Sequence, residues 1–563
     1  MSARRRLLAM ASLAVAAFSL LAVGACRAAD QQPPAATPAS APSAAQPASL
    51  LPPVPAPVAE APKADAGPPG EVRVHACAGA GRWFPADADS LRTIVDKYLS
   101  ASPPEVPKAP VALIVPHAGY EFSGPVAGKT YATVSAGRVA SPARGGPAWG
   151  GGDKGRTYRR VILFGLSHQY ALSGASVLRV EAFDTPLGRI PVDIEARDAL
   201  LACPVVKEQA AAHRTEHSVE NQLPMLQRAL GEFKMVEVLV GEMSVKDRAT
   251  LADAVRALVD DSTLLVASSD FTHFGPNFGY VPFRSRLPEN LKALNDMAVR
   301  EILEVDVPGW DANLEKTHDT ICGQAGIGLL LKIVEPWDDV RGGRVAYDTS
   351  GNLTGDWANS VTYTGIALWR AGEGLAAAEK ATLLRIARDA VTEFTKTGNP
   401  LKADGGTYDL TVSLKSPGAA FVTLKNAGQL RGCIGHVMAI MPLYESIIQN
   451  ACNACRDPRF TRHPITAAEV PALSIEISVL SPMRRLDDVK NIRIGRDGLM
   501  LVRGWDSGLF LPQVPVEQGW NLQEYLTELC GKAGLPDGTW KDPKAELYRF
   551  TAQVFGEHEA AAK

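Results

Sequence analysis

Three histidines in this chain each stand just past the end of a short apolar run. Residues 111–115 lead into Pro116-His117-Ala118-Gly119-Tyr120, residues 161–164 into Gly165-Leu166-Ser167-His168, and residues 264–267 into Ser268-Ser269-Asp270-Phe271-Thr272-His273. Runs of this length read as strands buried on both faces, and open α/β sheets place ligands beyond the carboxyl ends of such strands. His117, His168, Asp270 and His273 are therefore expected to converge on one edge. A fourth group is Cys322, in Asp319-Thr320-Ile321-Cys322-Gly323-Gln324, ahead of the apolar run 327–334 that reads as a buried helix. A thiol in the first turn of a helix feels the positive end of the macrodipole, which favours the thiolate a metal needs. The expected metal set is His117, His168 and Cys322. The stretch Glu216-His217-Ser218-Val219-Glu220 puts His217 and Glu220 three residues apart, on one face of a predicted helix, suited to a metal's surroundings or to a proton relay.

The elements that must position these groups follow from periodicity. In residues 71–370, Leu91, Ile94, Val95 and Leu99 keep helical spacing, and a glycine-containing turn at 121–125 precedes a helix through Ala127 and Tyr131. Strand, turn and helix make the α/β unit. A Gly/Pro-rich surface loop spans 141–154. Residues 375–560 read as a separate α+β unit. It opens with a helix carrying Leu383, Leu384, Ile386, Ala387, Ala390, Val391 and Phe394, stopped by Thr397-Gly398-Asn399-Pro400. A strand at 420–424 leads to Leu430-Arg431-Gly432-Cys433-Ile434-Gly435-His436, where two glycines suggest a tight loop exposing the Cys433 sulfur. Cys433 with His436 is then either a thiolate and its base or a small packed thiol, and the donor fork of Arg431 is the candidate for an anionic ligand. Helices at 445–454 and near 520–531 and an alternating strand at 475–480 complete the unit. Cys452 and Cys455 form a Cys-x-x-Cys on a helix, open to a disulfide or a thiol redox role but too few for a zinc site.

At 563 residues and 46% hydrophobic content the chain can build two cores, and a net charge of -3 offers no basic field to nucleic acid. Arg4, Arg5 and Arg6, the uncharged stretch 7–23 and Gly24-Ala25-Cys26 have the layout of an export signal. Small residues before Cys26 resemble a bacterial lipobox, whose cysteine becomes the lipidated first residue. The expectation is an exported cell-envelope lipoprotein held to a membrane only by its N-terminal lipid, with cleavage without lipid or an uncleaved anchor as alternatives. Residues 27–70, rich in Ala and Pro, read as an unfolded tether that reaches on the order of 100 Å at about 3 Å per residue. If Cys26 is lipidated seven cysteines remain, an odd number that leaves at least one free or metal-bound.

Taken in order, the Trp-Phe-Pro opening, Pro-His-Ala-Gly-Tyr, Gly-x-Ser-His, Glu-His-Ser-x-Glu-x-Gln-Leu-Pro, Ser-Ser-Asp-Phe-x-His and Thr-Ile-Cys-Gly resemble the Memo family, over about 300 residues. That family is similar in fold to class III extradiol dioxygenases. The resemblance implies that His117, His168 and Cys322 surround iron or copper, with Asp270 and His273 lining the pocket and His217 on another family motif. The dioxygenases use two histidines and a carboxylate, so the softer, oxidisable Cys322 removes any licence to inherit catechol cleavage and leaves zinc open. The Leu-Arg-Gly-Cys-Ile-Gly stretch, Asp-Pro-Arg-Phe, Ile-Glu-Ile-Ser-Val-Leu-Ser-Pro and Leu-Pro-Gln-Val resemble the AMMECR1 family, and the two families recur beside a radical S-adenosylmethionine protein. The expected function is a non-haem metal oxidoreductase acting on an unidentified small molecule or peptide, with His273 or His217 as acid/base and Asp270 as orienter. The alternatives are a metal- or peptide-binding module without turnover, or a component of a radical-enzyme protein-modification system.

Overall fold

The computed structural model describes residues 72–101, 106–135, 157–372, 374–460, 463–486 and 488–557. The N-terminal signal, the tether and the 141–154 loop lie outside them.

The first region is built on one nine-stranded sheet. Its elements that matter here are α1 (Ala88–Leu99), β1 (Pro110–Val115), α2 (Tyr120–Ala132), β2 (Arg160–Gly165), α3 (Leu223–Leu230), β3 (Lys234–Val240), α4 (Val245–Arg256), β4 (Thr263–Ser268), α5 (Gln324–Val334), β5 (Val340–Thr349) and β6 (Ser360–Arg370). The centre of the sheet runs β6-β1-β4-β2-β3. The pairs β1–β4, β4–β2 and β2–β3 are parallel, while β6 is antiparallel to β1 and to β5. Every residue of β1 and β4 is buried, as the continuous apolar runs require for strands covered on both faces. Alternate side chains feed two cores: Ile114, Ile162 and Leu265 pack with α4 and α5 on one face, and Leu113, Leu163 and Val266 with α1, α2 and α3 on the other. Because β4 lies between β1 and β2, the carboxyl ends of the three histidine-bearing strands are neighbours.

Two local expectations change. Cys322 precedes the helix, since the N-cap of α5 is Gly323. Residues Glu220–Gln222 form a single 3-10 turn ahead of α3, so His217 and Glu220 do not share a helical face.

The second region has its own cores, formed by residues from 383 onward. It comprises α6 (Ala377–Thr397), β7 (Ala419–Asn426), β8 (Gln429–Gly435), α7 (Leu443–Cys455), β9 (Leu473–Leu480), β10 (Arg484–Arg485), β11 (Gly498–Arg503), β12 (Asp506–Phe510), α8 (Leu522–Lys532), β13 (Glu546–Phe550) and β14 (Ala552–Gly556). Two four-stranded sheets, ordered β8-β7-β9-β14 and β10-β13-β11-β12, carry these helices. The chain is thus an α/β region followed by an α+β region. The expected loop around Cys433 is instead strand β8, with Cys433 directly opposite Thr423 of β7.

Candidate metal centre

Three imidazoles meet beyond the carboxyl edge of the sheet. His117, His168 and His217 each offer a ring nitrogen, and these lie within 4.8 Å of one another. Tetrahedral ligands at about 2.1 Å from a metal are roughly 3.4 Å apart, so small ring movements would close the set on an ion. The hydrogen bonds of the far ring nitrogens support that reading. The Ser268 hydroxyl spends its hydrogen on the Ser218 carbonyl, so at 2.9 Å it accepts from His117 Nδ1. His168 Nδ1 donates to the Glu216 carboxylate at 2.9 Å, and His217 Nδ1 lies 3.5 Å from the same oxygen. A neutral imidazole that donates from Nδ1 presents the Nε2 lone pair, which is how proteins fix a metal-binding tautomer.

Cys322 completes the cluster. Its sulfur is 3.3 Å from His117 Nε2 and accepts a hydrogen bond from the Asp270 amide at 3.2 Å. Burial opposes the thiolate, yet His117 and His168 outweigh it and draw the thiol down to about 5. The reciprocal effect lifts His168, despite its burial, to about 10, helped by Cys322 and Glu216. His217 goes the other way: burial and the neighbouring charges of His117 and His168 hold it down to about 2, so it is neutral. Glu216, 5% exposed, is held at about 2 against its burial by His168 and His217. One face of His217 stacks on Trp83 with ring centroids 4.1 Å apart and planes 9° from parallel, and the other stacks on His168 at 4.6 Å.

The remaining predicted residues fall around this cluster or away from it. Asp270 turns its carboxylate to the backbone, accepting from His117 N at 2.8 Å and Ala118 N at 3.3 Å. It sets the turn that aims His117. His273 donates from Nδ1 to the carbonyls of Phe271 and Thr320, at 2.9 and 3.0 Å, and its amide donates to Thr320 Oγ1. Those bonds pin the loop that carries Cys322, and none of them reaches the imidazole cluster. Glu220, expected beside His217, accepts instead from Gly79 N at 2.6 Å and lies against His75 and Cys77.

In the second region Cys433 and His436 do not pair. Cys433 accepts from Thr423 Oγ1 at 3.2 Å and burial raises its pKa, while His436 Nδ1 sits 3.1 Å from Ser446 Oγ. The strand geometry explains this, since residues three apart on a strand point to opposite faces. The Arg431 fork is already filled by Glu469, at 2.6 and 2.9 Å, leaving no open pair of donors for a ligand. Cys452 and Cys455 are buried free thiols on α7.

Sequence reasoning passed over Glu216, Ser268, Asn221 and Gln222. Asn221 donates to the His117 carbonyl at 2.6 Å, and Gln222 to Ser268 Oγ at 2.8 Å and the Pro116 carbonyl at 3.1 Å. Their signal was present: polar side chains crowd a stretch that immediately precedes the apolar α3, and buried polar groups must be paired.

A family model described as Memo-like protein matches residues 75–367, and a second, described as AMMECR1, matches residues 384–555. Curated relatives include a protein from Thermococcus gammatolerans, 40% identical over 186 residues, which are 31% of this chain and 88% of the relative. Another is a protein from Methanothermobacter thermautotrophicus, 40% identical over 186 residues, covering 32% of this chain and 94% of the relative. Among solved structures, an uncharacterized protein from Pyrococcus horikoshii is 40% identical, covering 31% of this chain and 89% of that one, with a TM-score of 0.29. None of these printed descriptions names an activity. The Memo-like match takes in more than half of the chain and every residue of the imidazole–thiol cluster, and the chain accordingly belongs to the Memo family, with an AMMECR1 region behind its Memo-like one.

Proposed function

We propose that the chain is a metal-dependent oxidoreductase of the cell envelope. His117, His168 and His217 hold iron or copper, and the Cys322 thiolate stands against the ion. The observation that carries this reading is the convergence of three imidazoles whose Nδ1 atoms face a serine hydroxyl or a carboxylate while a thiolate lies 3.3 Å from His117 Nε2. Three imidazoles and a thiolate suit copper, iron or zinc. Iron or copper would supply one-electron chemistry to a bound substrate, whereas zinc would supply only Lewis acidity.

The protein's own groups have defined parts in this reading. Glu216 and Ser268 fix ring orientation, Asp270 fixes the turn under His117, and His273 fixes the turn that brings in Cys322. His217, held neutral, acts as a ligand and not as the acid/base considered from sequence. In the metal-free protein Cys322 and His168 stand as a thiolate–imidazolium pair, and the proton on His168 is the one that a bound metal would displace. Trp83 covers one side of His217 and keeps water from it. The substrate is a small molecule or peptide, and a radical S-adenosylmethionine protein is a candidate partner. In this reading the N-terminal arginines, the apolar stretch and Cys26 serve as an export signal and lipid anchor, with the enzyme on the outer side of a membrane.

Elemental analysis of the purified full-length protein, followed by O₂ uptake, tests the reading. His117→Ala and His168→Ala should each remove most of the metal, and His436→Ala should remove none. Full occupancy after loss of both histidines would place the metal elsewhere, and bound zinc without O₂ uptake would reduce the region to a binding module.

A further inference from the structure

The two regions meet at a polar seam that carries more positive than negative charge. Arg484, 5% exposed, reaches from the second region to the end of α5, donating from its two terminal nitrogens to the carbonyls of Glu335 and Trp337 at 2.6 and 3.0 Å. Both carbonyls lie just past the helix, where unsatisfied acceptors and the negative end of the dipole favour a cation. The third donor of that guanidinium, Nε, is buried and has no partner. Beside it is a cavity with about 10 Å³ open to the centre of a water-sized sphere, lined by Asp338, Ser481, Arg484, Arg549, Phe550 and Thr551. Such a space holds one water or one monatomic ion.

The charges around the cavity do not balance. Asp338 is shared by Arg549 at 3.0 Å and Arg496 at 3.2 Å, Arg496 also pairs with Asp497, and Asp339 is taken by Arg370. Arg341 donates only to the carbonyls of Asp338 and Val340. With Lys332 paired to Glu335, six cations among the described residues face four carboxylates, and the two left without a paired carboxylate are Arg341 and Arg484. Burial first draws both below the ordinary arginine range, to about 10; Arg484 repels Arg341 and Arg549 repels Arg484, while Asp338 and Asp339, and for Arg484 also Glu335, pull the other way, so each remains charged at neutral pH. Buried cations that no carboxylate pairs directly are costly.

We infer that the seam holds one monatomic monovalent anion, chloride in ordinary media, bound by Arg484 Nε in the field of Arg484 and Arg549, and that this anion helps hold the two regions together. A water would satisfy the N–H but leave the charge excess among the described residues. The Asp338 carboxylate on the wall is no bar, because both of its oxygens are engaged by arginines.

The test uses the full-length protein at constant ionic strength, with sodium chloride replaced stepwise by sodium gluconate. Raising chloride from trace to about 0.15 M should raise the melting temperature by about 3 °C, the linkage expected for a ligand that binds only the docked fold. The chloride-35 resonance should broaden with protein, and bromide should reverse the broadening by competition. Arg484→Met should lose both effects. Arg549→Gln, which leaves the Arg484 carbonyl contacts in place, should reduce both and serves if Arg484→Met does not fold. Identical melting in chloride and gluconate would mean that a water sits there and overturns the proposal. So would broadening that persists undiminished in either variant.

Discussion

Cys322 and His168 set each other's protonation, and the sign of the effect on each side can be worked out. An unperturbed thiol keeps its proton to 9.0 and an unperturbed imidazole loses its proton above 6.5, whereas the folded values are about 5 and about 10. The depressed thiol stabilises the fold fully above 9.0 and loses that contribution as pH falls through about 5. The raised imidazole stabilises it fully below 6.5 and loses that contribution as pH rises through about 10. The thiolate answers first to His117 and then to His168, and the thiolate–imidazolium cluster stands between the two limits. In metal-free protein the thiolate absorbance near 240 nm should therefore titrate with a midpoint near 5, and His168→Ala should move the midpoint upward. A wild-type midpoint at the ordinary thiol value would refute the pairing. Metal affinity should fall with acid, because protons compete for the same atoms. At this scale sequence reading brought His117, His168 and Cys322 together because each adjoins a recognisable element, and it left His217 outside that set as an acid/base or relay. The approach of His217 to the cluster depends on the Glu216 carboxylate and on the stacking of Trp83, which lies more than a hundred residues away in the chain.

Elements place these groups through close backbone approaches that only some residues permit. Gly323, between Cys322 and α5, would as alanine put its Cβ 2.5 Å from the Ser268 carbonyl oxygen and 2.5 Å from Ser269 Cβ. Its φ of -87 is open to any residue, so the constraint is space. Gly323→Ala should push the start of α5 off β4 and destabilise the fold by about 1–3 kcal/mol. Metal affinity should fall at least about tenfold, the lower end of what loss of a supporting contact to a metal ligand costs. Gly326→Ala, whose added Cβ would meet nothing nearer than 3.5 Å, is the control and should retain both. Thermal unfolding and metal titration of the two variants decide the matter. Strand ends and helix periods were readable from the sequence because apolar runs and 3.6-residue spacing are local. The glycines flanking Cys433 were misread as a turn. Gly432 lies in strand β8 beside a shift of register against β7, and its added Cβ would meet the Ala454 carbonyl at 2.1 Å, so the residue is there to let α7 approach β8.

On the scale of the whole molecule, the division into an α/β and an α+β region was legible because each brings its own hydrophobic periodicity. The seam was not, since Arg484 and the carbonyl it caps are 149 residues apart. In an exported protein the free thiols would meet an oxidising compartment. Cys203, Cys452, Cys455 and Cys530 are buried, and burial and the Glu220 charge push Cys77 up to about 12. Burial raises Cys433 as well. Cys322 is thus the thiol with a resolved downward shift, and it lies in the imidazole cluster, where a metal would shield it from oxidation. Among the described residues no helix is long and apolar enough to cross a membrane. In the lipoprotein reading, attachment rests on lipid at Cys26, and the proline-rich stretch serves as a tether that lets the metal site work at a distance from the surface. Mass spectrometry of native protein should find Cys26 as a lipid-modified first residue, and Cys26→Ala should leave the membrane fraction while keeping its metal content. Wild-type protein that retains an intact Met1 and remains soluble would end the lipoprotein reading and leave the metal reading untouched.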